Sequence, residues 1–274
     1  MKIGFATPSI YPFSEKLFSE WAPAGIGAIE ISYGSEIMDV LNFKTARKWA
    51  DKYGIELWSA HLPFWPFDKL DISKPELAEN TLEYFKSLIE KINGDAGINR
   101  FVLHASGEPI SDGERPLRIA TAKKYLSALA SYARTKGSVV CVENLPRTCL
   151  GQNSDEILEL ISGEENLRAC FDTNHLLYQP TVDFIKSVGS EIETVHISDY
   201  DYVDEKHWLP GEGKIDWQKL YNTLTEVGYK GNWIYEVILR APIEMPPRSR
   251  DLNGADLVRN ANEIFENKPL TKVL

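Results

Sequence analysis

The chain has 274 residues, enough for two small domains or for one α/β barrel of the usual ~250 residues, and 43% of them are hydrophobic, as in proteins that bury a sizeable core. A formal charge of −10, from 30 Lys and Arg against 40 Asp and Glu, argues against a broad basic surface for nucleic acid, and the apolar runs are too short to cross a membrane. Cys141, Cys149 and Cys170 are too few for a disulfide framework, and the N-terminus reads as a strand rather than a signal peptide, so a cytoplasmic setting is expected.

Strand and helix signals alternate along the whole chain. Strands are predicted at residues 2–9, 27–33, 56–62, 99–105, 139–143, 167–172, 193–197 and 232–237. Helices follow at 14–21, 43–53, 76–92, 117–136, 157–161, 182–188, 216–227 and 252–266. Gly54 and Gly137 supply stops, and Asn153 offers a cap ahead of the short fifth helix. Eight such pairs with no linker or low-complexity stretch predict a single (β/α)8 TIM barrel over residues 1–274.

In that architecture active sites form at the C-terminal ends of the strands. Six strands here end on a side chain that can ligate a metal: His61, His104, Glu143, Asp172, His196 and Glu236. Strand side chains alternate, so all six can point into one mouth, with Cys141 and Cys170 buried one layer below Glu143 and Asp172. A strand-end carboxylate taken alone more often caps a helix or pairs with Lys or Arg, and a lone inward His is more often a core residue. Six at corresponding positions make coincidence a poor account. Mixed carboxylates and imidazoles suit Zn²⁺ or Mn²⁺ foremost, with Co²⁺, Fe²⁺ or Mg²⁺ also open. His175 and His207, in the following loops, bring all five histidines to that end. The Gly-x-Ser-x-Gly and Gly-x-Gly-x-x-Gly motifs are absent, so neither a serine nucleophile nor a nucleotide cofactor is expected.

Five segments carry a family resemblance: Val142-Glu143-Asn144, Asp172-x-x-His175, His196-x-x-Asp199, Pro210-Gly211-x-Gly213 and Tyr235-Glu236. In order and spacing they resemble the xylose isomerase-like TIM barrels, which include D-tagatose 3-epimerase-like sugar enzymes and the endonuclease IV group. The resemblance implies one divalent metal on Glu143, Asp172, His196 and Glu236. It also implies a sugar or sugar-phosphate isomerase or epimerase in which Glu143 and Glu236 move a proton through a metal-stabilised enediolate. His175 would bind substrate, and Asp199 would orient His196 from behind.

His207 stands where many sugar epimerases carry Arg. His61, His104, His175 and the pair Glu205 and His207 match additional metal positions of endonuclease IV, with Glu205 replacing Asp. Two alternatives therefore stay open: a metal-dependent phosphodiesterase acting on abasic DNA, and a barrel that binds metal or sugar without catalysis.

The aromatics Phe64, Trp65 and Trp208 could stack on a sugar or simply pack as a lid, and Tyr11 and Phe13 follow the first strand. Arg147, Lys206, Lys214 and Arg240 are candidates to neutralise a phosphate or carboxylate, while Glu108 and Arg115 either pair or line the site. A small sugar substrate is the expected partner, a homo-oligomer is open, and a membrane or nucleic-acid partner is disfavoured.

Overall fold

The computed structural model describes residues 1–7, 12–241 and 248–273, so Tyr11 lies outside the described residues. Eight parallel strands close into a barrel in sequence order: β1 (Ile3–Ala6), β2 (Ala28–Ser32), β3 (Glu56–His61), β4 (Arg100–His104), β5 (Val139–Glu143), β6 (Leu167–Asp172), β7 (Ile192–Ile197) and β8 (Trp233–Tyr235). Around it lie α1 (Glu15–Trp21), α2 (Ser35–Met38), α3 (Phe43–Tyr53), α4 (Ala78–Ala96), α5 (Arg115–Thr135), α6 (Ser154–Ile161), α7 (Thr181–Val188), α8 (Trp217–Glu226) and α9 (Gly254–Phe265). Helix α2 is an addition within the loop after β2. Asn153 does cap α6, accepting from Glu156 N at 3.0 Å, but the helix begins at Ser154, one residue after the cap. Among the described residues, no helix is long and apolar enough to cross a membrane.

Helices and barrel share one apolar layer. In α1 the buried residues Leu17, Phe18 and Trp21 fall on one face, and the Trp21 ring stacks on Phe5 of β1 at 4.0 Å. Each such fully buried side chain contributes roughly 1.5–3 kcal/mol. Inside the barrel, Val102, Cys141 and Cys170 pack together below the mouth, as alternation requires. Burial pushes both thiols up, which leaves them unreactive.

Register decides what the mouth contains. His104 of β4 lies opposite Glu143 of β5, and Asp172 of β6 lies opposite His196 of β7. Two bulges interrupt strict alternation. Between β2 and β3 the pairing steps from Leu57 to Ser59, so Trp58 turns into the barrel with Ala6, Ala28 and Ile234 instead of facing the helices. Between β6 and β7 it steps from Ile192 to Thr194, freeing Glu193 to pair with Arg100 at 2.7 Å. The Arg100 guanidinium covers the Trp58 ring at 3.8 Å, and Trp58 Nε1 donates to Thr194 Oγ1 at 2.9 Å. These residues close the floor.

At the other end, the loop after β3 rests on a buried ion pair. Arg118 of α5 meets Asp71 at 2.6 Å, and Asp71 also accepts from Ser73 N at 2.9 Å and Gly107 N at 3.0 Å. Gly107 is obligatory there, since a Cβ would stand 2.6 Å from the Phe67 ring. Replacing Arg118 by Leu strands the buried Asp71 charge and is expected to cost about 3–5 kcal/mol, read as a fall in the urea midpoint.

Candidate metal centre and active site

Glu143 sits at the last position of β5 with 1% of its surface exposed, and four imidazoles surround it. Its Oε2 lies 3.0 Å from His61 Nε2 and 3.4 Å from His104 Nε2. Its Oε1 lies 3.0 Å from His196 Nδ1 and 3.5 Å from His175 Nδ1. Burial by itself would raise this carboxyl, but His196 and the hydrogen bonds from the histidines hold it well below the ordinary carboxylate range. Glu236, just past β8, puts Oε2 at 3.3 Å from the same His196 Nδ1. Burial also acts to raise Glu236, yet His196 and His207 keep it lowered.

Asp172 completes the group. Its Oδ1 accepts from Asn174 N at 2.6 Å, while the buried Oδ2 has no hydrogen-bond donor among the described residues. That oxygen lies 3.8 Å from Nδ1 of both His175 and His196. Burial, with Glu236 and Glu143 close by, pushes Asp172 well above its usual range. Three carboxylates crowded this closely need a counter-charge. Ligand atoms of Glu143, Asp172, His196 and Glu236 lie within 4.8 Å of one another, as one divalent ion requires, and the orphaned Asp172 oxygen fits that demand.

Among the described residues three further groups satisfy the same condition: His61 with His104 and Glu143, Glu143 with Cys170 and His196, and His175 with Glu205 and His207. All the residues expected to be ligands therefore converge on one mouth, in overlapping sets, three of which share Glu143. His175 Nε2 meets Glu205 at 3.2 Å, which holds Glu205 down at about 2.

Neighbouring loops fix these side chains. Asn144 donates to Asp172 O at 2.9 Å and accepts from Asp172 N at 2.8 Å, extending the β5–β6 ladder by one side chain. This accounts for the Glu-Asn pair in sequence. Asn174 Oδ1 accepts from the backbone nitrogens of Lys206 and His207, tying the loop after β6 to the loop after β7.

Several sequence expectations are corrected. Asp199 does not touch His196 in the described contacts. Its carboxylate accepts from Tyr200 N, Gly211 N, Ile215 N and Trp217 Nε1, and a Cβ on Gly213 would stand 2.3 Å from it. The Asp199 and Pro-Gly-x-Gly motifs are thus two halves of one loop fold. Arg147 is not free for substrate, being saturated by Glu108, Asp204 and Glu205 at 2.6–2.8 Å. Of the two alternatives for Arg115, pairing is the one found, with Glu156 at 2.6 Å. Lys214 is exposed and Trp208 half-buried, and neither lines these two cavities at the mouth. Trp65 does line both.

The carboxylate behind His196 is Glu30, which the sequence reading left unassigned. It is fully buried on β2, 2.9 Å from His196 Nε2, and accepts from Ser59 Oγ at 2.6 Å. Its signal was present: a charge between Ile29 and Ile31 on a buried strand demands a partner. Replacing Glu30 by Gln is expected to weaken retention of Mn²⁺ or Zn²⁺ about 10–100-fold against a chelator, with the circular dichroism spectrum unchanged.

A family model described as "Xylose isomerase-like TIM barrel" matches residues 18–260. Among solved structures, a D-tagatose 3-epimerase-like protein superposes with a TM-score of 0.81 at 22% identity, covering 97% of this chain and 98% of that one. An L-ribulose 3-epimerase gives 0.75 at 21% identity, covering 97% and 94%. Among curated sequences, the uncharacterized protein MJ1311 of Methanocaldococcus jannaschii is 25% identical over 235 residues, 82% of this chain and 76% of that protein. The fructoselysine 3-epimerase of Escherichia coli O157:H7 is 24% identical over 119 residues, 41% of this chain and 43% of that enzyme.

Proposed function

Because the chain belongs to the xylose isomerase-like TIM-barrel family, we propose that it is a divalent-metal-dependent isomerase or epimerase acting on a sugar or sugar phosphate. The observation that carries this reading is the pair Glu143 and Glu236. Both carboxylates converge on His196 Nδ1, both are kept ionised by neighbouring histidines, and both line the 440 Å³ cavity above the centre. That size lies within the range of small-molecule sites, which run from ~300 to 1,000 Å³. Two ionised carboxylates facing one cavity can take a proton from a carbon beside a carbonyl and return it.

The residues present fit a metal. Glu143, Asp172, His196 and Glu236 would hold it, and it would supply Lewis acidity to the substrate carbonyl and to charge developing on the neighbouring oxygen. The chain does the rest. Glu30, held by Ser59, stands 2.9 Å from the His196 ring, Asn144 fixes Asp172, and His175 stands at the cavity wall to hydrogen-bond a substrate hydroxyl. Phe64 and Trp65 cover the mouth, where they can stack on the apolar face of a sugar and limit water. The epimerases among the relatives and structural neighbours support this class of substrate.

A second reading, phosphodiester hydrolysis on abasic DNA, draws on the His61–His104–Glu143 and His175–Glu205–His207 groups. Against it, Arg147 is consumed by three carboxylates and the whole chain is acidic, leaving few cations to hold a phosphate backbone.

Replacing Glu143 or Glu236 by Gln is expected to lower ketose turnover about 10²–10⁴-fold with the fold intact, followed by deuterium uptake from solvent. Near-normal turnover in either variant would sink the two-carboxylate mechanism. Metal counting by mass spectrometry separates the readings. One equivalent per chain with ketose turnover supports the isomerase, three with incision of an abasic duplex supports the hydrolase, and no divalent metal at all removes both.

A further inference from the structure

Arg147, on the loop after β5, is gripped by three carboxylates from two other loops. Its Nε and Nη2 donate to Glu108, after β4, at 2.9 and 2.6 Å. Its Nη1 donates to Asp204 at 2.8 Å and its Nη2 to Glu205 Oε1 at 2.8 Å, both after β7. The backbone of Arg147 has a φ of +52°, a left-handed conformation that an arginine adopts only where its surroundings hold it there. Glu205 also faces the site: its Oε2 lies 3.2 Å from His175 Nε2, and with His175 and His207 it forms one of the groups able to hold a cation. All three of those residues line the 440 Å³ reaction cavity.

The deeper group is matched in another way. Glu143, Asp172 and Glu236 bring three carboxylates, and among the described residues their ion-pair partners are histidines. Three carboxylates crowded around imidazoles call for a divalent ion. Glu108, Asp204 and Glu205 beside His175 and His207 would have the same composition, but Arg147 already stands among them. A metal ion on Glu205 would share one carboxylate with that guanidinium, setting two cations against a single negative charge. It would also take the His175 and His207 imidazoles away from a substrate in the cavity.

We propose that Arg147 is a built-in cation that sets the metal count: its guanidinium neutralises Glu205 and so keeps the His175–Glu205–His207 group clear of metal and open to substrate. Arginine suits this task because it stays charged throughout the range in which proteins are folded, and its planar fork serves all three carboxylates at once. The inference rests on the isomerase reading in one respect, that the resident ion sits on Glu143, Asp172, His196 and Glu236.

The test counts Zn²⁺ on the full chain, stripped of metal and reloaded, by native mass spectrometry, with affinities from competition against a chelator. It needs neither turnover nor the correct sugar. The unchanged chain is expected to hold one tight equivalent, and Glu205→Gln to leave that count at one. Arg147→Gln and Arg147→Met remove the charge, and each should take up a second ion at least about tenfold more tightly than the unchanged chain does. Adding Glu205→Gln to either should return the count to one. Arg147→Lys keeps the charge without the fork and should also stay at one, which separates the charge from the shape of the loop. Two tight equivalents in the unchanged chain that fall to one in Glu205→Gln overturn the proposal, and this comparison needs no change at Arg147 and no folding of its variants. A count of one in both neutral variants, or of two in Arg147→Lys, overturns it as well. An unchanged chain that takes up no divalent metal removes the isomerase reading and this inference with it, whereas one equivalent in every variant removes this inference alone.

Discussion

A carboxylate taken out of water has to be matched by its surroundings, and Glu143 is matched by four imidazoles arriving from four different strands or loops. Much of the mouth follows from that requirement. β4 must set His104 opposite Glu143, β7 must set His196 opposite Asp172, and the loop after β6 must fold back to deliver His175. A slip of one residue in any of these pairings would send the ligand to the helix layer. Two of the histidines are in turn met from behind, His196 by Glu30 and His61 by the Leu62 carbonyl at 2.8 Å, while His175 Nδ1, which faces Glu143, also meets the Asn144 carbonyl at 2.9 Å.

The loops around this centre are joined mainly by polar side chains. Asn144 splices β6 to β5, Asn174 holds the loop after β7, and Arg147 bridges the loops after β4, β5 and β7 through Glu108, Asp204 and Glu205. Glu212 and Arg248, both nearly buried, bind the loop after β7 to the chain beyond β8 at 2.6 Å. Such ties fix the geometry of ligands carried on loops, which a barrel alone would leave loose.

What could be read in the sequence was what depends on period. Apolar strands of period two, each stopped by a chemically loaded residue, gave the eight-stranded barrel and the inward direction of His61, His104, Glu143, Asp172, His196 and Glu236. The bounds of β5 and β6 agree to the residue. What could not be read depends on contacts between distant segments. The bulge that turns Trp58 inward is a property of the β2–β3 pairing, not of either strand. Glu30 rather than Asp199 lies behind His196, because spacing shows which residues are near a strand end, but not which carboxylate the ring faces. Arg147 looked like a free cation because its partners come from residues 39, 57 and 58 positions away.

The floor has a consequence for traffic through the molecule. Trp58, Thr194 and the Arg100–Glu193 pair close the lower end, and Val102, Cys141 and Cys170 fill the layer above them. Among the described residues the barrel is therefore a vessel closed at its lower end. Whatever enters over Trp65 must leave the same way, so arrival and departure alternate and no second molecule can push the first through. For an enzyme whose product is an isomer of its substrate, both compounds then compete for one doorway with nearly the same shape. The direction of net flow is set outside the protein, by their relative concentrations, and not by any asymmetry of the channel.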